Sequence, residues 1–284
     1  MTLHTPRRSA LCVPGSSPAM VAKACASSAD EVVVDLEDAV AIDAKDGARA
    51  AVSTLGRRDR GTVSVRVNAE GTPWHAADLV ACANNTNVNT IVVPKVESGE
   101  QIRRIVADLE AAELQSHRTS PLGIQALIES PRAVQQVADV ADSHDRMTAL
   151  VIGYADLAAS LGRHADGPWQ FARDAVLVAA RSTGIHAIDG PHLTVADDEM
   201  FAGAVALASG QGFDGKWVIH PRQLQRVNAA FTPTADEVRE AAEIVAVMEH
   251  AQREGTGAVA WQGRMLDEAL VVAARRTLAR GTQA

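Results

Sequence analysis

Glu129 directly follows the apolar run Ala126-Leu127-Ile128, and Asp156 stands four residues after Ile152 in Gly153-Tyr154-Ala155-Asp156. If those runs are neighbouring strands, the two carboxylates sit side by side at the end of a sheet. Such a pair suits a hard divalent cation: magnesium keeps several waters and takes only one or two protein carboxylates, leaving positions for substrate oxygens. No His/Cys cluster competes for zinc. The same carboxylates would equally cap helices or pair with arginine, and position alone leaves both readings open. Arg66, in Val63-Ser64-Val65-Arg66-Val67-Asn68, is the anion-binding candidate. Its planar fork matches a carboxylate or a developing oxyanion, with a structural pair to Glu37 or Asp38 one strand away as the alternative.

These residues need a scaffold that gathers strand ends. Eight short β-branched or apolar runs end in polar or glycine-containing residues, and each is followed by an Ala-rich stretch with helical spacing. The runs are Ser9–Val13, Glu31–Leu36, Val63–Val67, Thr90–Val93, Gly123–Ile128, Ala149–Ile152, His186–Ile188 and Lys216–Ile219. Their ends recur about every 29 residues, the length of one β-loop-α unit. The first run ends in Pro14-Gly15-Ser16-Ser17-Pro18 rather than a G-x-G-x-x-G, which argues against a dinucleotide fold. The expectation is an α/β chain folded as a (β/α)8 TIM barrel, with Arg66, Lys95, Glu129, Asp156 and Asp189 at the C-terminal strand ends, where barrel active sites form.

Two further helical stretches, Thr234–Glu254 and Met265–Arg280, joined by Gly255-Thr256-Gly257, are surplus to the barrel. Thr234 with Glu237 three residues on is a helix-start signature. The chain is therefore divided into a catalytic barrel at 1–232 and a C-terminal helical segment at 233–284, which packs on its own barrel or on a neighbouring subunit.

Composition narrows the function classes. The chain has 284 residues, 47% hydrophobic and 22% charged, a globular balance. A net charge of −8 with four Trp, one Tyr and four Phe gives neither a phosphate-tracking face nor a stacking platform, so nucleic acid is not the expected partner. Cys12, Cys25 and Cys82 are odd in number and far apart, as in a reduced cytoplasmic setting. Met1 to Pro14 holds no apolar run long enough for a secretory core, and no membrane span is expected. Ser9, Ser16 and Ser17 lack a nucleophile elbow and a paired histidine, so helix capping is their expected work. Trp169, Trp217 and Cys12 read as core or pocket wall.

Arg8-Ser9-Ala10-Leu11-Cys12-Val13-Pro14-Gly15, followed by Asp35-Leu36-Glu37-Asp38-Ala39-Val40, resembles the opening signature of the citrate lyase β-subunit (CitE-like, HpcH/HpaI aldolase) family. Arg66-Val67-Asn68, Val93-Pro94-Lys95-Val96-Glu97-Ser98, Ala126-Leu127-Ile128-Glu129-Ser130, Gly153-Tyr154-Ala155-Asp156, Ala187-Ile188-Asp189-Gly190-Pro191 and Gly212 to Pro221 follow in the family's order. The resemblance runs from Arg8 to Asp267. It implies a Mg2+-dependent carbon–carbon lyase acting on a coenzyme A or carrier thioester of the malyl, citramalyl or citryl type. It also implies a homotrimer or hexamer whose C-terminal segment completes a neighbour's site. Carried over residue by residue, Glu129 and Asp156 match metal ligands, Arg66 the substrate-carboxylate arginine, and Glu37 and Asp38 the acidic pair supporting it. Arg8, Lys95, Lys216, His220 and Pro221 match segments along the thioester's path, and Asp267 matches a catalytic aspartate given by the adjacent subunit. Leu266 and Glu268 stand where the family often has Ile and Pro. A malyl-CoA-type thioesterase, a citrate lyase β-subunit active only within its complex, and a non-catalytic assembly component are the alternatives. The first two are separated by reaction products; retention of both candidate ligands and Asp267 argues against the third.

Overall fold

In the computed structural model, residues 6–281 are described. The reading of the first fourteen residues rests partly on Met1–Thr5, which lie outside them. Eight parallel strands close into a barrel: β1 Ser9–Pro14, β2 Glu31–Asp35, β3 Thr62–Arg66, β4 Thr90–Val93, β5 Gly123–Ile128, β6 Met147–Ile152, β7 His186–Asp189 and β8 Gly215–Val218. Strand order follows chain order, and the ring is closed by β1 on β8 with Ser9 opposite Lys216. Each predicted run is a strand, with ends shifted by at most two residues. The (β/α)8 architecture is what the spacing called for.

One cluster settles which face of each strand points inward. Ala10, Val33, Val92, Leu127, Val151, Ile188 and Trp217, from seven strands around the ring, pack on one another. Side chains alternate along a strand, so residues two away from these also face the barrel axis, and their immediate neighbours face the helices. Below the apolar layer, at the N-terminal strand ends, come Glu31, Ser64, Thr90 and Gln125. Above it, at the C-terminal ends, come Asp35, Arg66 and Glu129. The barrel interior is thus an apolar plug between two polar layers.

The chain divides into two compact units, residues 7–228 and a C-terminal unit from residue 229. In the latter, a helix at Ala235–Arg253 starts with a full capping box, Thr234 and Glu237 each bonding the other's backbone N–H. A second helix spans Glu268–Gly281, and the two share a core of Ile244, Met248, Leu266, Val271 and Ala274. Between them lies a hairpin that the pattern of the sequence did not announce, β9 Val259–Trp261 paired antiparallel with β10 Arg264–Leu266. Its two-residue turn, Gln262-Gly263, has both φ values positive (46° and 75°), as a type I′ turn requires. The second helix accordingly starts at Glu268 and not at Met265. Among the described residues no helix is long and apolar enough to cross a membrane.

Candidate active site

Asp35 and Arg66 are register partners at the ends of β2 and β3 and both face inward. Arg66 Nε donates to Asp35 Oδ1 at 2.7 Å, its Nη2 donates to Oδ2, and its Nη1 lies 2.9 Å from Glu37 Oε2 and 3.6 Å from Asp38 Oδ2. Burial alone would weaken the guanidinium as a cation, but the hydrogen bonds and charge of Asp35 outweigh it and leave the Arg66 pKa raised. Asp35 also accepts the backbone N–H groups of Glu37 (2.8 Å) and Ala39 (3.1 Å), so one wholly buried carboxylate fixes both the arginine and the acidic loop. The expected Glu37 and Asp38 contacts are present. Asp35, the strongest partner, was missed, although alternation from Val33 would have turned it inward.

Glu37 is buried, and that burial raises its carboxyl to about 7, with Arg66 and Lys95 opposing and Asp38 adding to the rise. Glu129, 3% exposed, is likewise raised by burial, with the Lys95 charge opposing. Gly153 gives Glu129 its room: a Cβ there would lie 2.5 Å from Glu129 Cβ and 2.6 Å from its Oε2. Asp156 stands in the first turn of the helix Tyr154–Leu161. Lys95 joins the two acids. Its backbone N–H donates to Glu129 Oε1 at 2.7 Å, and its Nζ lies 2.5 Å from Asp156 Oδ1 and 3.7 Å from both Glu129 Oε1 and Glu37 Oε1. Distances of 2.5 and 3.7 Å from one nitrogen place those Asp156 and Glu129 oxygens no more than 6.2 Å apart. Both carboxylates thus lie within 3.7 Å of one ammonium.

Whether the group fits magnesium can be judged from these contacts. Among the described residues no three His, Cys, Asp or Glu side chains form a ready cage. Two carboxylates reaching one cationic nitrogen are, however, the protein share that a hydrated magnesium takes, and they need only draw in to about 4 Å apart to share an ion. Five carboxylates, Asp35, Glu37, Asp38, Glu129 and Asp156, face two cations, Arg66 and Lys95. Burial disfavours the charges of Glu37 and Glu129 when they lack a partner, and a further cation would offset the acids left in surplus. Trp217, in the apolar layer beneath, has its ring centroid 6.0 Å from the Arg66 guanidinium and its buried indole N–H without a protein acceptor. Cys12 packs against the same core, and burial, with Asp35 adding, pushes its thiol up to about 12, so it is no nucleophile at neutral pH.

Two residues matched to the thioester's path, Arg8 and Lys216, stand apart from the acidic cluster. Arg8 precedes β1, so it sits at the N-terminal end of the barrel, opposite the mouth, where Nε and Nη2 clasp Asp30 at 2.7 and 2.8 Å. Lys216 neighbours the inward-facing Trp217 and so points to the helices. It is 1% exposed, its Nζ bound to Asp189 Oδ2 (2.5 Å) and Gly190 O (2.6 Å). Asp189 is turned outward with it, taking Tyr154 and Arg173 as well. Tyr154, Arg173 and Lys216 line a cavity of about 590 Å3 together with Trp169, His192 and Met200, to which none of Arg66, Glu129 or Asp156 contributes. His220 and Pro221 follow β8 at the mouth side, and His220 Nδ1 caps a short turn by accepting from Arg222 N–H. Lys95 points into the acidic cluster. Asp267, in the C-terminal unit, is exposed and accepts the Leu270 N–H at 3.2 Å.

Comparison with known proteins follows the same lines. A family model described as HpcH/HpaI aldolase/citrate lyase matches residues 8–221. An L-malyl-CoA/beta-methylmalyl-CoA lyase of Cereibacter sphaeroides is 35% identical, covering 94% of this chain and 92% of its own. A (3S)-malyl-CoA thioesterase of the same organism is 36% identical over 97% and 94%. The solved structure of CitE from Mycobacterium tuberculosis in complex with magnesium, acetoacetate and coenzyme A superposes with a TM-score of 0.77, at 30% identity and 98% coverage of both chains.

Proposed function

The chain belongs to the HpcH/HpaI aldolase/citrate lyase family, and we propose that it is a magnesium-dependent carbon–carbon lyase cleaving a 3-hydroxyacyl-CoA of the malyl, citramalyl or citryl type. The products are an acyl-CoA and a 2-oxo acid. The observation that carries this reading is the convergence of Glu129 and Asp156 on one cationic point, close to Arg66, in a mouth short of positive charge. Bound there, magnesium supplies Lewis-acid charge to substrate oxygens.

The protein groups then divide the remaining work. Glu129 and Asp156 hold the metal. Arg66, held rigid by Asp35, lends positive charge to a substrate carboxylate. As the bond between C2 and C3 breaks, the 3-hydroxyl gives its proton to water and becomes the carbonyl of the 2-oxo acid, and the electron pair of the broken bond moves to C2 as a thioester enolate. A proton must reach that carbon, and we assign the task to Asp267 of a neighbouring subunit, on the resemblance and on its exposure within its own chain. Glu37 and Asp38 back Arg66. The oligomer, a trimer or hexamer, and a cytoplasmic setting consistent with three free thiols belong to this same reading.

A thioesterase acting on the same ligands is the second reading, favoured by the 36% identity to a malyl-CoA thioesterase. Mass-spectrometric analysis of a panel of 3-hydroxyacyl-CoA esters with Mg2+ and with EDTA separates the two. Glyoxylate, pyruvate or oxaloacetate together with an acyl-CoA, lost in EDTA, is the expected result; free CoA thiol with an intact hydroxy acid overturns the lyase reading.

A further inference from the structure

Lys95 has three properties that together set it apart from a residue lining a cofactor path. First, its ammonium is within 3.7 Å of Glu37 and Glu129 and 2.5 Å from Asp156, the three carboxylates that surround the proposed metal position. Secondly, its backbone has φ +53°, in the left-handed region that non-glycine residues seldom adopt, and this conformation aims its N–H at Glu129 Oε1. Its main chain therefore holds one carboxylate while its side chain bridges that carboxylate to two others. Thirdly, its side chain and that of Asp156 are each 39% exposed, so the ammonium has an open way out to solvent, unlike Arg66, which is pinned by Asp35.

Electrostatics requires a cation at this spot. Without Lys95, Glu37, Glu129 and Asp156 would face one another uncompensated across a few ångströms of partly buried space, at a cost in stability that a divalent ion would relieve. With Lys95 in place the site is preassembled, but a divalent ion and the ammonium compete for the same oxygens. A compact charge on a flexible four-carbon stem can withdraw, which a forked, bidentate arginine could not do as readily.

We propose that Lys95 is a resident counter-cation. Its ammonium keeps Glu37, Glu129 and Asp156 converged before the metal arrives, is expelled from between them when the divalent ion binds, and thereby sets the metal affinity below that of the bare carboxylates. This rests on the lyase reading only in that it takes Glu129 and Asp156 as the metal's ligands.

Isothermal titration of the full chain with MgCl2, without substrate, tests the proposal on wild type, Lys95→Met, Lys95→Gly and Lys95→Arg. Lys95→Met removes the charge at similar length, and Lys95→Gly removes it while accepting the positive φ. Both are expected to bind Mg2+ about tenfold more tightly than wild type, since no cation has to be displaced. Their melting temperatures in EDTA should fall, while the rise on adding Mg2+ should grow; Lys95→Arg should keep the stability in EDTA and bind Mg2+ no more tightly than wild type. Unchanged or weakened Mg2+ binding in Lys95→Met and Lys95→Gly, with Glu129→Ala devoid of binding, would overturn the proposal and leave the metal reading standing. Binding of Mg2+ to Glu129→Ala as to wild type would overturn the metal reading itself.

Discussion

The two ends of the barrel are built from the same residue types and differ in charge balance. At the N-terminal end Glu31 accepts from Gln125 Nε2 at 2.7 Å and from Ser64, with Arg7 at 3.5 Å, while Arg8 clasps Asp30. Two acids meet three arginines there, Arg60 reaching Asp30 at 3.9 Å, and Glu31 and Asp30 are almost entirely out of contact with water. At the C-terminal end five acids meet two cations, and Asp38, Lys95 and Asp156 are open to solvent. A sealed cluster with no surplus negative charge has nothing left to bind, so its worth is structural. An open one with surplus negative charge holds its carboxylates in readiness for a cation.

Removing one acid from each end breaks this comparison most sharply. Glu129→Ala is expected to lower Mg2+-dependent turnover by at least about a hundredfold while changing stability by no more than about 1 kcal/mol, because burial already disfavours that carboxylate's charge. Glu31→Ala should do the reverse. It leaves the buried Arg7 without its carboxylate and should cost about 3–5 kcal/mol in denaturant unfolding, with Mg2+ affinity of the folded fraction unchanged. Equal stability losses at both ends would erase the distinction.

A subtler break is steric. Gly153→Ala puts a methyl group against Glu129 Cβ and Oε2, and the buried strand end leaves Glu129 little alternative space. Mg2+ affinity measured by titration calorimetry should drop by roughly tenfold, for about 1.4 kcal/mol of binding free energy. Retained affinity would mean that Glu129 tolerates displacement and is not a ligand.

How much of this contrast was legible beforehand depends on which physical cue carried it. Strand positions were, because parallel strands buried on both faces read as unbroken Val and Ile runs; β4 and β5 match to the residue. The placement of Glu129 and Asp156 beyond adjacent strands was too, because Glu129 closes one such run and Asp156 follows the next within four residues. The inward or outward sense of Lys216 was not, since Gly215, Lys216 and Trp217 are all buried and no polar alternation shows the phase. The opening motif spans both ends of β1, so resemblance by itself does not say which of its residues reach the mouth; strand direction does, and it sends Arg8 to the opposite end. Asp35 was hidden for a related reason. It continues Val32-Val33-Val34; alternation from Val33 gives its inward sense, and lateral register with Arg66 gives its partner. The hairpin β9–β10 escaped because three-residue strands carry too little periodicity.

The smallest expected effect is on pH. Glu37 is raised from about 4.5 in the unfolded chain to about 7 in the fold, chiefly by burial. Its contribution to the stability of the metal-free protein is fully present below about 4.5 and is lost as pH rises through about 7. A cation prefers the ionised form, so Mg2+ affinity should increase over the same interval, with proton release seen as a buffer-dependent binding enthalpy. Thermal melts in EDTA and titrations at pH 6, 7 and 8 check both signs. Glu37→Gln should flatten both trends, and a pH-independent affinity in the wild type would separate Glu37 from the metal.

The most direct measurement is the anomalous difference density of crystals grown with Mn2+, which takes the same oxygen donors as Mg2+. A peak within about 2.3 Å of carboxylate oxygens of both Glu129 and Asp156, with Lys95 Nζ withdrawn from between them, is the predicted result. Density at another place, or a fully occupied peak touching neither carboxylate, would contradict the account.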